Sequence, residues 1–263
     1  VMLLVDNAHG SYLKFLPHSL HPIDLGADIC CDSAHKTLPA LTGAAYLHIS
    51  NRLDGYFKEN AKSALALFGS TSPSYLVLQS LDALNKYLYE YPSSLKSFTE
   101  KVEKLKIKLK NIGFSLVGNE PLKITVFTKP YGYEGQEFAE ILNNFGIVAE
   151  FFDPDYITLM LTPEIGDKGL DKILNAMNTI PKKPPITVTP PIISLPDKKL
   201  SVRQATLRES EWIDVKSAVG RISASPTVGC PPAIPIVVCG ELIDDNTVKC
   251  FEYYGISKCL VVK

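Results

Sequence analysis

The sequence has little of what would tie a protein to a membrane, to nucleic acid or to an oxidising compartment. Its 27 Lys and Arg are set against 28 Asp and Glu, a formal net charge of -1. That balance offers no bulk attraction to a polyanion or an anionic lipid surface, so neither nucleic acid nor membrane is expected as a partner. No basic amino-terminal segment leads into an apolar core and a small-residue cleavage site. The longest apolar runs, such as Ile234 to Val238, are of strand length and far too short to span a bilayer. None of the six cysteines (Cys30, Cys31, Cys230, Cys239, Cys250, Cys259) forms a Cys-x-x-Cys pair, so neither a zinc knuckle nor a thioredoxin-type site is suggested. They read as small buried thiols in a reducing, cytoplasmic setting. Cys30 and Cys31 stand side by side on a strand, where their side chains face opposite ways.

What is present is ordinary globular composition, 46% hydrophobic and 21% charged, enough for one large domain or two modest ones. The chain opens directly on an apolar strand, Val1 to Val5, that ends at Asp6. An interior parallel strand needs neighbours on both sides, so the expectation is a chain that starts in the middle of a fold, from a split or truncated gene. Ala27 to Cys31 and Gly43 to Ile49 read as further strands. Asn51 to Leu67 and Ser74 to Tyr89 read as helices, the second with Leu76, Leu78, Leu81, Leu84 and Leu88 along one side. Ser72-Pro73-Ser74 supplies its start signal. Tyr91-Pro92-Ser93-Ser94 punctuates the chain before a lysine-rich helix, Leu95 to Asn111, whose core face is Phe98, Val102, Leu105 and Leu109 and whose stop is Gly113.

Strand Lys123 to Thr128, helix Glu134 to Phe145, strands Ile147 to Phe152 and Tyr156 to Leu161, and helix Asp167 to Met177 then form an α+β unit, with Asp153-Pro154-Asp155 as a turn. The proline-rich tract Pro181 to Pro196 cannot be a regular helix and reads as an extended connection. Beyond it the pattern predicts a helix over Ser201 to Glu211, a strand near Arg221 to Ser223, the run Ile234 to Val238, and a closing helix and strand that end at Val262. No internal repeat is present.

The strongest chemical signal is Asp32-Ser33-Ala34-His35-Lys36-Thr37-Leu38-Pro39-Ala40-Leu41-Thr42. A lysine at the end of a buried strand suits an imine-forming amine, because desolvation disfavours the ammonium form. Ser33 and His35 can donate hydrogen bonds to a phosphate. A surface lysine in a loop is the plain alternative. What favours the first reading is Val5-Asp6-Asn7-Ala8-His9-Gly10, some thirty residues upstream. Pyridoxal phosphate draws off electrons only when its ring nitrogen is protonated, and a carboxylate at the end of a neighbouring strand holds that proton. Asp6 has this context, and His9 could lie over the ring or touch its phenolic oxygen. Gly69 to Tyr75 adds hydroxyls and amides at a helix start, a candidate anion site through Ser70, Thr71 and Ser72, or simply a helix cap. A metal site from His9, His18 and His21 is not expected, because no acidic or cysteine ligand set joins them at helical spacing.

The series VDNAHG, DSAHKTLPALT, TSPSY, VGRISASP, PPAIP and GE resembles the ornithine/lysine/arginine decarboxylases, in that family's order and over most of the chain. The resemblance implies an α/β fold of the aspartate-aminotransferase type: residues 1–92 as the end of a mostly parallel, pyridoxal-phosphate-binding large domain, and 93–263 as a smaller α+β carboxy-terminal domain containing the 181–196 connection. It implies pyridoxal 5'-phosphate carried on Lys36, a ring-nitrogen partner in Asp6, phosphate contacts from Ser33 and His35, and a contribution from the Ser70 to Ser72 loop of a neighbouring subunit. A homodimer or higher homo-oligomer follows, with a separately encoded amino-terminal half as a further possible partner. The implied substrate is a basic amino acid, decarboxylated to a polyamine precursor.

Arg221 matches the arginine of the family's Gly-Arg-Ile-Ser-Ala stretch and could pair with a substrate carboxylate; a surface ion pair is the equal alternative. Glu241 could meet the distal amine or guanidinium. Cys230, Ala233 and Cys239 stand where the family usually has tyrosine, glycine and proline. Two other readings stay open: another pyridoxal-phosphate lyase or aldolase on the same scaffold, and a non-autonomous subunit or remnant without activity alone.

Overall fold

The structure is a computed structural model that describes residues 1–53, 55–226 and 235–263. The chain divides into two units, Val1–Leu105 with Leu161–Asp171, and Lys106–Met160 with Lys172–Lys263.

In the first unit β1 (Leu4–Asp6) runs parallel to β2 (Ile29–Asp32), with Asp6 opposite Cys31. After β2 comes the single helical turn α1 (Ala34–Thr37), and then β3 (Tyr46–Ile49). β3 pairs with β2 antiparallel, so the described strands of this sheet make one parallel and one antiparallel pairing. The reason lies in the connection: a four-residue helix is too short to carry a chain across the face of a sheet, as a parallel return requires. β1 is the edge of this three-stranded sheet, shorter than the predicted strand, and Leu3 and Leu4 before and within it are exposed.

Helices α2 (Gly55–Phe68), α3 (Tyr75–Leu88) and α4 (Tyr91–Ile112) follow. Ser74, not Ser72, caps α3: its hydroxyl accepts from the Val77 N–H at 3.4 Å. The leucine side of α3 is only partly core, since Leu84 is buried whereas Leu76 and Leu78 are exposed. Tyr91 and Pro92 open α4 rather than precede it, as proline's lack of an N–H is harmless in a first turn. Phe98, Val102, Leu105 and Leu109 are buried as the heptad-like spacing predicts. Gly113, at φ +110°, ends the helix: its N–H reaches Lys110 O, and the next N–H reaches Leu109 O at 3.1 Å.

In the second unit β4 (Ser115–Val117), β5 (Lys123–Phe127), β6 (Phe151–Phe152) and β7 (Tyr156–Met160) form an antiparallel sheet in the order β4-β5-β7-β6. Alternation buries Ile124, Val126, Ile157 and Leu159 on one face. α5 (Gly135–Asn144) buries Phe138, Ala139 and Leu142. Rings of Phe114, Tyr131, Tyr133 and Phe138 stack and meet edge-on with centroids 4.1 to 6.4 Å apart. α6 is Gly166–Thr179.

Residues 181–196 contain no helix or strand, in line with their prolines. They are held by backbone: Ile186 N–H donates to Lys129 O at 3.0 Å. The Lys129 ammonium reaches Val188 O at 2.8 Å and the Asp155 carboxylate at 2.8 Å. Tyr253 OH donates to both oxygens of the same carboxylate.

The predicted helix over Ser201 to Glu211 is short. A Ser201–Gln204 capping box starts α7 (Val202–Thr206), but Ser210–Asp214 is strand β8. Its partner β9 (Lys258–Val262), reached through α8 (Asp245–Tyr253), captures all five residues in an antiparallel ladder, which overrides the helical pattern. Arg221 to Ser223 makes only isolated bridges, Ile222 to Leu242 and Ser223 to Val261. Cys230, Ala233 and the first residue of the Ile234 to Val238 run lie outside the described residues. Among the described residues, no helix is long and apolar enough to cross a membrane.

Candidate active site

The candidate residues Asp6, His9, Ser33, His35 and Lys36 lie at or just past the carboxyl ends of β1 and β2, where open α/β sheets bind ligands. Asp6 closes β1, and its carboxylate accepts the Ala8 N–H at 3.0 Å, which turns the chain back so that His9 follows at once. β2 ends at Asp32, and Lys36 lies one turn further on, in α1. The two strands are hydrogen-bonded neighbours. The close is at the side chains: Lys36 Nζ stands 3.0 Å from His9 Nε2. The lysine and histidine named from separate motifs are therefore in direct contact, and both are half-buried.

Ser33 sits at the amino-terminal cap of α1 without spending its hydroxyl on a cap bond. Its carbonyl accepts from the buried Ser11 hydroxyl at 3.2 Å. The Nδ1 of His35 meets Ala44 O at 3.1 Å, which places a proton on Nδ1 and leaves Nε2 as the edge the ring presents. Ser70, Thr71 and Ser72 lie in an exposed loop, where the Ser72 N–H donates to Ser70 Oγ at 3.1 Å.

Arg221 and Glu241 belong to the second unit. Arg221 donates to Glu211 at 2.7 Å and to Val262 O at 2.8 Å, so the ion-pair alternative is the one formed. Glu241 accepts the Val238 N–H at 2.8 Å, closing a local turn. Cys239 is buried, with its sulfur 3.4 Å from Thr206 Oγ1.

One group of residues was missed by sequence reasoning. Asp32 is buried and accepts four ways. Asn7 Nδ2 donates to Oδ1 at 2.8 Å, Cys30 Sγ to Oδ1 at 3.5 Å, and the Nε2 atoms of His21 and His48 each approach Oδ2 at 3.1 Å. Burial alone would raise this carboxyl, but hydrogen bonds from His48, Asn7 and His21 outweigh it and hold the group down at about 2. Burial, and then the nearby Asp32 carboxylate, push the Cys30 thiol up to about 12. A cleft of about 440 Å³ opens beside this group, lined among others by Ser11, Lys14, His21, Asp32, Tyr46 and His48. The signal that could have found it is strand alternation: Cys30 and Asp32 are two apart on β2, hence on one face, and His48 is the cross-strand partner of Cys30.

With lysine, histidine and aspartate at the ends of adjacent parallel strands, comparison with known proteins becomes specific. Residues 1–112 match the model of the Orn/Lys/Arg decarboxylase major domain, and residues 192–259 match that of the Orn/Lys/Arg decarboxylase C-terminal domain. The chain belongs to the Orn/Lys/Arg decarboxylase family. It is 31% identical to an arginine decarboxylase of Bacillus subtilis (strain 168), over 95% of the chain and 55% of that protein. It is 29% identical to the uncharacterized protein YaaO of the same organism, over 95% of the chain and 55% of that protein. In structure it is similar to the lysine decarboxylase A of Pseudomonas aeruginosa (TM-score 0.76, 15% identity, 100% of the chain and 53% of that one). The E. coli constitutive lysine decarboxylase is similar too, with TM-score 0.74, 17% identity, and 99% and 54% covered. These last two show the α/β fold. The chain spans about half the length of the curated relatives it matches.

Proposed function

We propose that the chain carries the lysine-bearing half of a pyridoxal 5'-phosphate-dependent decarboxylase acting on a basic amino acid: arginine, lysine or ornithine. The observation that supports this is the 3.0 Å contact of Lys36 Nζ with His9 Nε2 at the end of a strand whose parallel neighbour ends in Asp6. The residues present fit the cofactor by their chemistry. The Lys36 amine, the Asp6 carboxylate, the His9 imidazole and the Ser33 hydroxyl would serve its aldehyde, ring nitrogen, ring face and phosphate respectively.

When bound, pyridoxal phosphate supplies an electrophilic carbon for the lysine amine and an electron sink for the pair left behind as carbon dioxide departs. The chain's own residues do the rest. Asp6 holds a proton at the ring nitrogen. Ser33 and the Nε2 edge of His35 grip the phosphate, with Ser70 to Ser72 reaching the phosphate of a neighbouring subunit. Lys36 and His9 share a hydrogen bond, so a proton can pass between them, and either can return it to the α-carbon. Arg221 and Glu241 would have to give up their present partners to bind substrate.

The working form is a homodimer or higher homo-oligomer, completed by an amino-terminal half that is encoded either on the same chain or separately. Apolar surface supports this: α2 has no buried residue, and Leu65, Leu67 and Phe68 near its end are exposed. Residues 1–92 are assigned to the end of the cofactor-binding domain and 93–263 to the smaller one, in a cytoplasmic enzyme.

The test is borohydride reduction of the chain with pyridoxal phosphate, followed by peptide mass spectrometry. A pyridoxyl adduct confined to Lys36 is expected, with or without an added amino-terminal half, and Lys36→Ala abolishes carbon dioxide release in the complete protein. No adduct in either case overturns the cofactor reading. Aldehyde or ammonia instead of a diamine or agmatine would move the chain to another lyase or aldolase.

A further inference from the structure

Three side chains of the first unit, His21, Cys30 and Asp32, bring their donor atoms within 4.8 Å of one another, and all three are buried. A fourth, His48, touches the same carboxylate oxygen as His21. From this convergence we infer a structural transition-metal site, of the tetrahedral zinc type, built from His21 Nε2, Cys30 Sγ, Asp32 Oδ2 and His48 Nε2.

The backbone produces it. Cys30 and Asp32 share one face of β2, Cys30 lies directly across from His48 on β3, and Cys31 points away. His21 comes from the loop before β2. Around a tetrahedral ion with bonds of about 2.0 to 2.3 Å, neighbouring ligand atoms stand roughly 3.3 to 3.7 Å apart. The three buried donors come near this, with 3.1 Å from His21 Nε2 to Oδ2, 4.0 Å from Cys30 Sγ to His21 Nε2, and all three within 4.8 Å of one another; His48 Nε2, 3.1 Å from Oδ2, would turn in as the fourth ligand.

Charge agrees as well. A thiolate, a carboxylate and two neutral imidazoles carry two negative charges, which a divalent cation cancels, so the filled site is neutral in a buried place. Binding releases one proton, from the Cys30 thiol, and the sulfur bonds the metal in its stead; the His21 proton moves from Nε2 to Nδ1, which gives up the Ile23 N–H it accepts at 3.3 Å. Two imidazoles and a thiolate select zinc or cobalt over magnesium or calcium. An entry path exists, because His21, Asp32 and His48 line the 440 Å³ cleft and the His48 side chain is 39% exposed. Asn7, which donates to Asp32 Oδ1, would orient the carboxylate from outside the ligand set. The ion would clip the loop before β2 to β2 and β3, and so steady the strand that leads to Lys36. None of this rests on the cofactor proposal.

The experiment uses the full chain, purified without a histidine tag, stripped with a chelator and titrated with Co²⁺. One equivalent should give tetrahedral visible bands and a near-ultraviolet thiolate-to-metal charge-transfer band, and Zn²⁺ should displace it with one ion per chain by elemental analysis. Cys30→Ser should remove the thiolate band. His48→Ala should weaken binding at least about tenfold, the loss that even an outer partner of a metal site causes. Cys31→Ser should change neither. If Cys30→Ser fails to fold, the wild-type spectrum and stoichiometry decide alone. No thiolate band in the wild type, a band that survives Cys30→Ser, or one that vanishes in Cys31→Ser overturns the site and leaves a plain hydrogen-bonded network.

Discussion

Replacing Lys129 by methionine should unfold the second unit far more readily than its surface lysines suggest. Its ammonium and the Asp155 carboxylate are 2.8 Å apart, with both side chains only 3% exposed. Burial works against the charge on Lys129, but hydrogen bonds to Asp155 and Tyr253 outweigh it and raise the group above the ordinary lysine value. Removing one member of such a pair costs about 3 to 5 kcal/mol, because the other charge stays buried without its counter-ion. Here Asp155 keeps the Tyr253 hydroxyl at 2.8 and 3.0 Å, so the lower end, about 3 kcal/mol, is expected. With a urea slope of about 2 kcal/mol/M, that moves the midpoint down by about 1.5 M. Lys129→Met/Asp155→Asn, which removes both charges, should recover at least half of the loss. Limited proteolysis gives a second readout, since the ammonium also holds Val188 O, and cleavage within 181–196 should quicken in the single variant. A loss under about 1 kcal/mol, or a double variant as unstable as the sum of the singles, would refute the reasoning.

His9→Ala should lower decarboxylation by the complete protein about a hundredfold or more while the pyridoxyl adduct on Lys36 still forms; unchanged turnover removes His9 from proton transfer. Gly240→Ala should destabilise by more than about 1 kcal/mol in a melt, since Gly240 has φ +94° and a Cβ there would lie 2.4 Å from Leu200 O. Asp244→Ala should cost about 1 kcal/mol, because the carboxylate caps α8 through the Thr247 N–H at 2.6 Å and its hydroxyl at 2.7 Å. Those bonds lower the Asp244 group below the ordinary aspartate value of about 3.9, so the benefit is full above that pH and fades as pH falls through the lowered value. In urea titrations the variant and the wild type should converge in acid, and a gap that widens there would contradict the assignment.

Lys36, His9 and Asp6 were legible as candidates because their motifs are local: a strand end, a short motif and a spacing single them out without knowledge of the packing. The buried face of α4 and the α+β pattern from Lys123 to Met177 were legible by periodicity. Asp32 was not, although it stands inside the most informative motif. Its partners come from 25 residues upstream, 11 upstream and 16 downstream, gathered by β1 on one side of β2, β3 on the other and the loop before β2. Metal ligands spaced along a helix leave a pattern in sequence, whereas Cys30, Asp32 and His48 lie across a sheet. Likewise Ser210 and Glu211 read as the end of a helix until β9, over forty residues later, claims them.

The Asp32 group also fixes the alignment of β2 on β3. Shift β3 by one residue and Leu47 or Ile49 would face Cys30 in place of His48, turning the imidazole to the opposite face. Asp32 would lose a donor in a buried place, at a cost of about 1 to 3 kcal/mol or more for a charged group. Hydrophobic pairing alone would barely notice such a slip, since Tyr46, Leu47 and Ile49 are all apolar enough to serve. The polar group thus acts as a ruler, setting how many residues the chain spends in returning from α1 to β3.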